Sequence, residues 1–367
     1  MTEQTAAALA LRAALTQARR GLVDRDVLVE LVALAAVAGE HLLVIGPPGT
    51  AKSEAVRRVA RSLEAKRFEY LLGRFTEPSE LFGPVDLRKL RDGTVETRTQ
   101  GMLPEAELAF LDEVFKGSTA ILNTLLAVLN ERVFRRGHQE LRVPLRVCVG
   151  ASNALPQDPS LAAFADRFVL RAYVQPIPDA RLEDLLQAGW GADEALTPVA
   201  SLADLDTLRA AARAMDPAPV RPLLARAVRE LRAAGVELSD RRVVKLQKLV
   251  CAAAALDGRA QPSNRDLWPV VFAVPLQEDQ QRARAVLGQV LEASSSAALS
   301  SAAEDAARGP AARADRMLRD GRELLEGDTP APLRAEALLR ELDAAFDDET
   351  RSPELTELRQ RLRATLT

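Results

Sequence analysis

The chain has 367 residues, enough for two or three domains with cores of their own. Apolar residues make up 47% and charged residues 28%; 49 basic against 52 acidic side chains leave a net charge of −3, which excludes the overall basic character that drives nonspecific nucleic-acid binding. Two distant cysteines, Cys148 and Cys251, and two histidines, His41 and His138, exclude a disulfide framework or a Cys/His zinc site and argue against histidine-centred catalysis.

The longest apolar stretch, Val27 to Ile45, is interrupted by Glu30, Glu40 and His41, so it does not read as a spanning helix. The N-terminus carries no basic n-region ahead of its alanine-rich run, and the chain reads as cytoplasmic. From Val27 to about Pro178, short apolar runs alternate with helical stretches, the pattern of an α/β domain with a mostly parallel sheet. Strands are predicted at His41 to Ile45, Phe68 to Leu72, Leu108 to Leu111 and Leu145 to Gly150. Helices are predicted from Lys52 to Leu63 and from Ser118 to Arg132, where Ile121, Leu122, Leu125, Leu126 and Leu129 recur at helical spacing. Asp92-Gly93 predicts a hairpin across Val85 to Thr99, and Gly137 a weaker one across Val133 to Val143. Beyond Pro178 helices dominate to about Pro275, with a capping-box pattern at Ser263-Asn-Arg-Asp266. Leu291 to Ala312 reads as a low-complexity helix or linker, and Arg313 to Thr367 as two or three amphipathic helices.

Three segments carry chemistry. Gly46-Pro-Pro-Gly-Thr-Ala-Lys-Ser53 links a predicted strand to a predicted helix, the setting in which backbone N–H groups converge on phosphate oxygens. Gly46, Pro47, Pro48, Gly49, Thr50 and Ala51 form the loop. Lys52 can reach β- and γ-phosphates, and the Ser53 hydroxyl can ligate Mg²⁺. Ala51 stands where such loops usually have glycine; a right-handed helical backbone is expected there, which alanine tolerates. Lysine is scarce in this arginine-rich chain, at only six residues, so Lys52 in this setting is hard to read as chance. Leu108-Ala-Phe-Leu-Asp-Glu113 is an apolar strand ending in two acids. Asp112 can hold Mg²⁺ through water, and Glu113 can deprotonate the attacking water. Asn153, ending Gly150-Ala-Ser-Asn153, lies beside them if the two strands pair; its amide then fixes that water. Arg167, in Asp166-Arg167-Phe168, can supply a guanidinium to a neighbouring subunit's phosphates, with Arg171 as a rival. Arg241 or Arg242, in Ser239-Asp-Arg-Arg242, can reach the same phosphates from a second domain.

Taken with Thr76-Glu-Pro-Ser-Glu-Leu-Phe-Gly-Pro84, Gly101-Met-Leu-Pro-Glu-Ala106, Phe110-Leu-Asp-Glu-Val-Phe-Lys116, Leu122-Asn-Thr-Leu-Leu126 and Leu129-Asn-Glu-Arg132, these segments resemble the MoxR family of AAA+ ATPases, within it the RavA-like branch. The resemblance runs from about Gly21 to Val274. It implies an α/β AAA+ core with a central parallel sheet (1–185), an all-α lid (186–285) and a C-terminal helical extension (286–367). It also implies Walker A roles for Lys52 and Ser53, Walker B roles for Asp112 and Glu113, and sensor 1 at Asn153. Arg167 becomes the arginine finger and Arg241 sensor 2, with Arg242 as the fallback. The hairpin around Asp92-Gly93 resembles the family's helix-2 insert and that around Gly137 its pre-sensor-1 hairpin. Such proteins form hexameric rings, hydrolyse ATP with Mg²⁺, and remodel protein complexes with a von Willebrand factor A (vWA) domain partner. A nucleic-acid motor and a chelatase-type motor subunit share the core; Arg135, Arg136 and Arg142 give one hairpin basic character, but no separate DNA-binding motif is present. No Asn-Lys-x-Asp guanine reader occurs, which favours ATP over GTP.

Overall fold

The computed structural model describes residues 2–91, 93–190, 197–308, 310–326, 332–346 and 351–365. Seven strands are described: β1 (Leu42–Ile45), β2 (Arg67–Leu71), β3 (Leu108–Asp112), β4 (Val133–Arg136), β5 (Gln139–Arg142), β6 (Val147–Ser152) and β7 (Leu170–Tyr173). Five of them form a parallel sheet in the order β2-β3-β6-β1-β7, while β4 and β5 form a separate antiparallel pair. Leu42 lies opposite Val149, Ile45 opposite Ser152, and Leu108 opposite Val147, so the C-terminal ends of β1, β3 and β6 come close together at one end of the parallel strands.

Side chains alternate across these strands with period two. Leu42, Val44, Leu108 and Phe110 enter one core, where the helices Glu3–Arg19, Asp26–Ala38, Leu202–Ala214 and Asp240–Leu256 pack; Leu43, Ile45, Ala109 and Leu111 enter a second, under Thr119–Glu131. Burial on both faces explains why these strands read as unbroken apolar runs.

The sequence reading needs three revisions here. It omits β7, because Arg171 interrupts its apolar run; the guanidinium is nonetheless buried, donating to the carbonyls of Ala165 (3.0 Å) and Pro275 (3.4 Å). The segment Val85 to Thr99 is not a two-stranded hairpin. Its Leu-Arg-Lys-Leu-Arg run forms the short helix Leu87–Arg91, whose start is met by the Asp86 carboxylate accepting from Arg88 N (2.8 Å). Gly93 at φ +79° closes that helix by donating to Leu90 O (3.0 Å), and a single bridge, Val85 to Thr97, joins the arms. Gly93 therefore acts on a helix end; Asp92 lies outside the described residues. The predicted fourth strand shifts by two residues to β6, which brings Asn153 directly after its end. The Gly137 hairpin forms as β4 and β5.

Within Leu291 to Ala312, the helix Ser300–Arg308 inserts Ala302, Ala303 and Ala306 into the first core. The fully buried Glu30 carboxylate accepts from Ser301 N (3.1 Å) and Ala302 N (2.6 Å) at that helix's start and pairs with Arg19 (2.5 Å). Burial outweighs these partners and pushes its pKa up to about 7. The last three helices, Pro310–Glu326, Pro332–Ala345 and Pro353–Ala364, close a small core of their own around Met317, Leu338, Leu342, Leu355 and Leu358. Among the described helices none is long and apolar enough to cross a membrane.

Candidate functional site

The loop 46–51 joins β1 to the helix Lys52–Ser62. Gly46 is required by close approach: a Cβ there would lie 2.2 Å from the carbonyl oxygen of Val174 on the neighbouring chain segment. The Lys52 ammonium is buried and donates to the carbonyls of Gly46 (2.8 Å) and Pro47 (2.7 Å), while Thr50 Oγ1 donates to Pro47 O (2.9 Å). Burial lowers the Lys52 pKa, and the carboxylates of Asp112 and Glu113 oppose that shift, so the loop and the acidic pair share one electrostatic environment. Ser53 follows Lys52 in the first helical turn, half-buried.

Ala51 departs from the expectation. Its backbone is left-handed (φ 56°, ψ 26°), a region that costs a Cβ-bearing residue about 1–2 kcal/mol and explains why glycine is usual at this point. An Ala51→Gly variant is expected to gain about 1 kcal/mol in stability, seen as a higher midpoint in thermal unfolding; an unchanged or lower midpoint contradicts the strain.

Arg25 was invisible to the sequence reading. Its guanidinium, 5% exposed, donates from Nε to Thr50 O (2.8 Å) and from Nη2 to Gln175 O (2.9 Å), bracing the loop 46–51 against the segment after β7. Burial lowers its pKa. It also lines a cavity of about 290 Å³ with Asp24, Tyr173, Val174 and Gln280 beside the loop.

At the end of β3, Asp112 Oδ1 accepts from Glu113 N (2.9 Å). Glu113 is itself left-handed (φ 50°) and starts the turn Val114–Lys116, which swings its carboxylate out of the strand direction. Its Oε1 accepts from Asn153 Nδ2 (2.9 Å) and pairs with Lys116 Nζ (3.3 Å). The pairing of β3 with β6 thus unites Asp112, Glu113 and Asn153 at the C-terminal end of the sheet, where β1 delivers Lys52 and Ser53.

The arginines lie elsewhere. Arg167 sits in the turn before β7, at the N-terminal end of the parallel strands, half-buried and with its Nε unpartnered. Strands of four residues separate the two ends by about 13 Å. Ser239 caps the helix Asp240–Leu256 and donates to Asp166 (3.3 Å), which fixes that helix start on the same turn. Arg242 is 1% exposed, its guanidinium held by Asp166 (2.6 Å) and by the carbonyls of Val169, Ala273 and Phe168 (2.7–2.9 Å). That lock leaves it no reach toward a phosphate. Arg241, one helical step away, is half-exposed and donates to Asn130 (2.7 Å). Arg171, the rival to Arg167, is interior, with its pKa lowered to about 10 by burial.

A family model describing the MoxR domain of MoxR–vWA–β-propeller ternary systems matches residues 9–211. The chain belongs to the MoxR family of AAA+ ATPases. Two uncharacterised Methanocaldococcus jannaschii proteins are 36% identical to it, one over 252 residues (67% of this chain, 66% of the relative) and one over 249 (67% and 64%), so the match spans just under two thirds of their length. The chaperone MoxR1 of Mycobacterium tuberculosis is 27% identical over 184 residues, 49% of this chain and 48% of that one. The crystal structure of a candidate ATPase from Cytophaga hutchinsonii shares the fold of this MoxR-family chain at a TM-score of 0.64 and 15% identity, covering 79% of this chain and 96% of the other.

Proposed function

We propose that this MoxR-family chain hydrolyses ATP with magnesium, does so as a ring of copies, and uses the cycle to remodel protein assemblies beside a vWA-domain partner. One observation carries the reading: a phosphate-type loop, two carboxylates and an amide meet at the C-terminal end of the parallel strands, while the arginines suited to phosphoryl charge stand at the N-terminal end. In this reading the loop N–H groups of residues 46–51 cradle phosphate oxygens, and Lys52 leaves its two carbonyl partners for the β- and γ-phosphates. The donor set of Ser53 hydroxyl and Asp112 carboxylate, with no cluster of three or more His, Cys, Asp or Glu among the described residues, suits a hard cation that keeps waters. Ser53, and Asp112 through water, would hold magnesium, which would neutralise phosphate charge. Glu113, its Oε1 tied to Asn153 and Lys116, keeps Oε2 to take the proton of the attacking water, which Asn153 helps to orient. Arg167 and Arg241 serve the next copy around the ring. In this reading the cavity that Arg25 lines receives the nucleotide's base.

The vWA partner rests on the ternary systems named for the matching family model, and the chaperone-like role on MoxR1. A nucleic-acid motor is less well supported: in the β4–β5 hairpin Arg135 is spent on Glu131 (2.6 Å) and Glu140 (3.0 Å), and Arg136 on Gly83 O. Phosphate release from ATP by the purified chain tests the proposal. Steady turnover with Mg²⁺ that stops on adding EDTA and returns with excess Mg²⁺ is expected; absence of release at every protein concentration rules the hydrolytic reading out.

A further inference from the structure

A second group of cations lies at the N-terminal ends of β1 and β6, away from the phosphate loop. The helix Leu202–Ala214 presents Asp206, Arg209, Ala210, Arg213 and Ala214 along a shallow cleft that is open to solvent and lined by these five residues of the one helix. The carboxylates nearby are already occupied. Asp206 takes both Nε (3.2 Å) and Nη2 (2.6 Å) of Arg146, and Glu40 takes Lys245 (2.5 Å) and Lys248 (3.1 Å). Among the described residues, Arg132, Arg209 and Arg213 have no carboxylate partner.

Their placement is costly. Arg209 lies against Gly39, where a Cβ would come within 3.0 Å of Nη2, and its buried Nε has no hydrogen-bond partner. Arg132 reaches the same glycine from the other side, donating to Gly39 O (3.0 Å), with its Nε also unpartnered. Arg213 follows Arg209 at i,i+4, a spacing at which like charges repel. Burial and this mutual repulsion lower the pKa of Arg209 and Arg132 alike, Arg213 weighing most among the cations on the first and Arg209 on the second, while Glu40 opposes both shifts and Asp206 the first. Arg132 is tied to Leu129 O, Gly39 O and His41, but Leu205, Leu208 and Ala212 pack the helix Leu202–Ala214 without Arg209 or Arg213.

We infer that this cleft is an anion site, with Arg209 and Arg213 as the contacting forks and Arg132 adding field from behind Gly39, and that its ligand is a phosphoryl-class oxyanion. Guanidinium forks match phosphate oxygens in pairs, and a phosphoryl group offers the three acceptors that donors arriving from two residues need, where a carboxylate offers two. The site is distinct from the loop 46–53 and does not depend on that loop's role.

The test uses the full chain carrying Lys52→Ala, which weakens the loop, titrated by calorimetry with inorganic pyrophosphate and, in a second arm, with ADP, against sodium chloride of equal ionic strength. Saturable binding of pyrophosphate near one equivalent per chain is expected, weakened about tenfold or more by adding Arg209→Gln and Arg213→Gln, with unchanged or higher thermal stability in chloride. Arg213→Gln alone, at an exposed position, is expected to give part of the loss and covers the case in which the double change disturbs folding. Tighter ADP binding that shares this arginine dependence marks a nucleotide as the source, and equal binding marks the free oxyanion; both support the site. Binding that survives the arginine changes, or an effect that chloride reproduces, overturns it.

Discussion

The Glu113→Gln variant is expected to bind Mg-ATP as the wild type does and to turn it over about 10²–10³-fold more slowly. Glutamine keeps the shape and can still accept the Asn153 amide proton at Oε1, so the loop, the strand end and the left-handed turn at residue 113 stay as they are. What it loses is the capacity to take a proton from water. A variant that fails to bind, or that hydrolyses at a near-normal rate, contradicts this assignment in different ways: the first says the substitution disturbed the site, the second that another group is the base. Lys116, paired with the same oxygen, is the neighbour to examine in the second case.

The second large effect belongs to Arg167. Its removal is expected to lower hydrolysis about 10³-fold while leaving nucleotide affinity within a few-fold. Because Arg167 and the loop 46–53 stand at opposite ends of the parallel strands, the loss should be repaired by mixing. A preparation of Arg167→Ala copies combined with Lys52→Ala copies, each inactive alone, places an intact finger beside an intact loop at about one quarter of the contacts of a randomly mixed ring. Recovered phosphate release on that scale shows the guanidinium crossing between copies. A mixture as inactive as its parts assigns Arg167 to its own subunit or to structure.

How much of this was legible in the sequence depends on how local each feature is. The loop 46–53 is eight consecutive residues between a strand and a helix, and the acidic pair closes an apolar run, so the strand and helix boundaries around both are legible to within a residue. The contact of Asn153 with Glu113 was conditional on strand pairing, which no local pattern states. Arg25 was missed because it is one of 43 arginines, and its importance comes from two carbonyls, Thr50 and Gln175, 25 and 150 positions away. Arg241 and Arg242 could not be separated by motif spacing alone; their different exposure follows from a turn of about 100° per residue on a helix whose start is nailed to Asp166. The left-handed backbone at Ala51 was misjudged, since alanine there argues for an ordinary helix start and the loop's closure overrides it. The Asp92-Gly93 dipeptide misled for a related reason: a turn signal says that the chain reverses, not whether strands or a helix flank it.

The account rests on one site built from loop 46–53 and the acids that end β3, and calorimetric titration of Mg-ATP examines it most directly. Wild type and Glu113→Gln should titrate with similar affinity, and Lys52→Ala should lose about tenfold or more. If Lys52→Ala titrates like the wild type, or if no chain releases or absorbs heat at any nucleotide concentration, the phosphate loop is not the seat of binding.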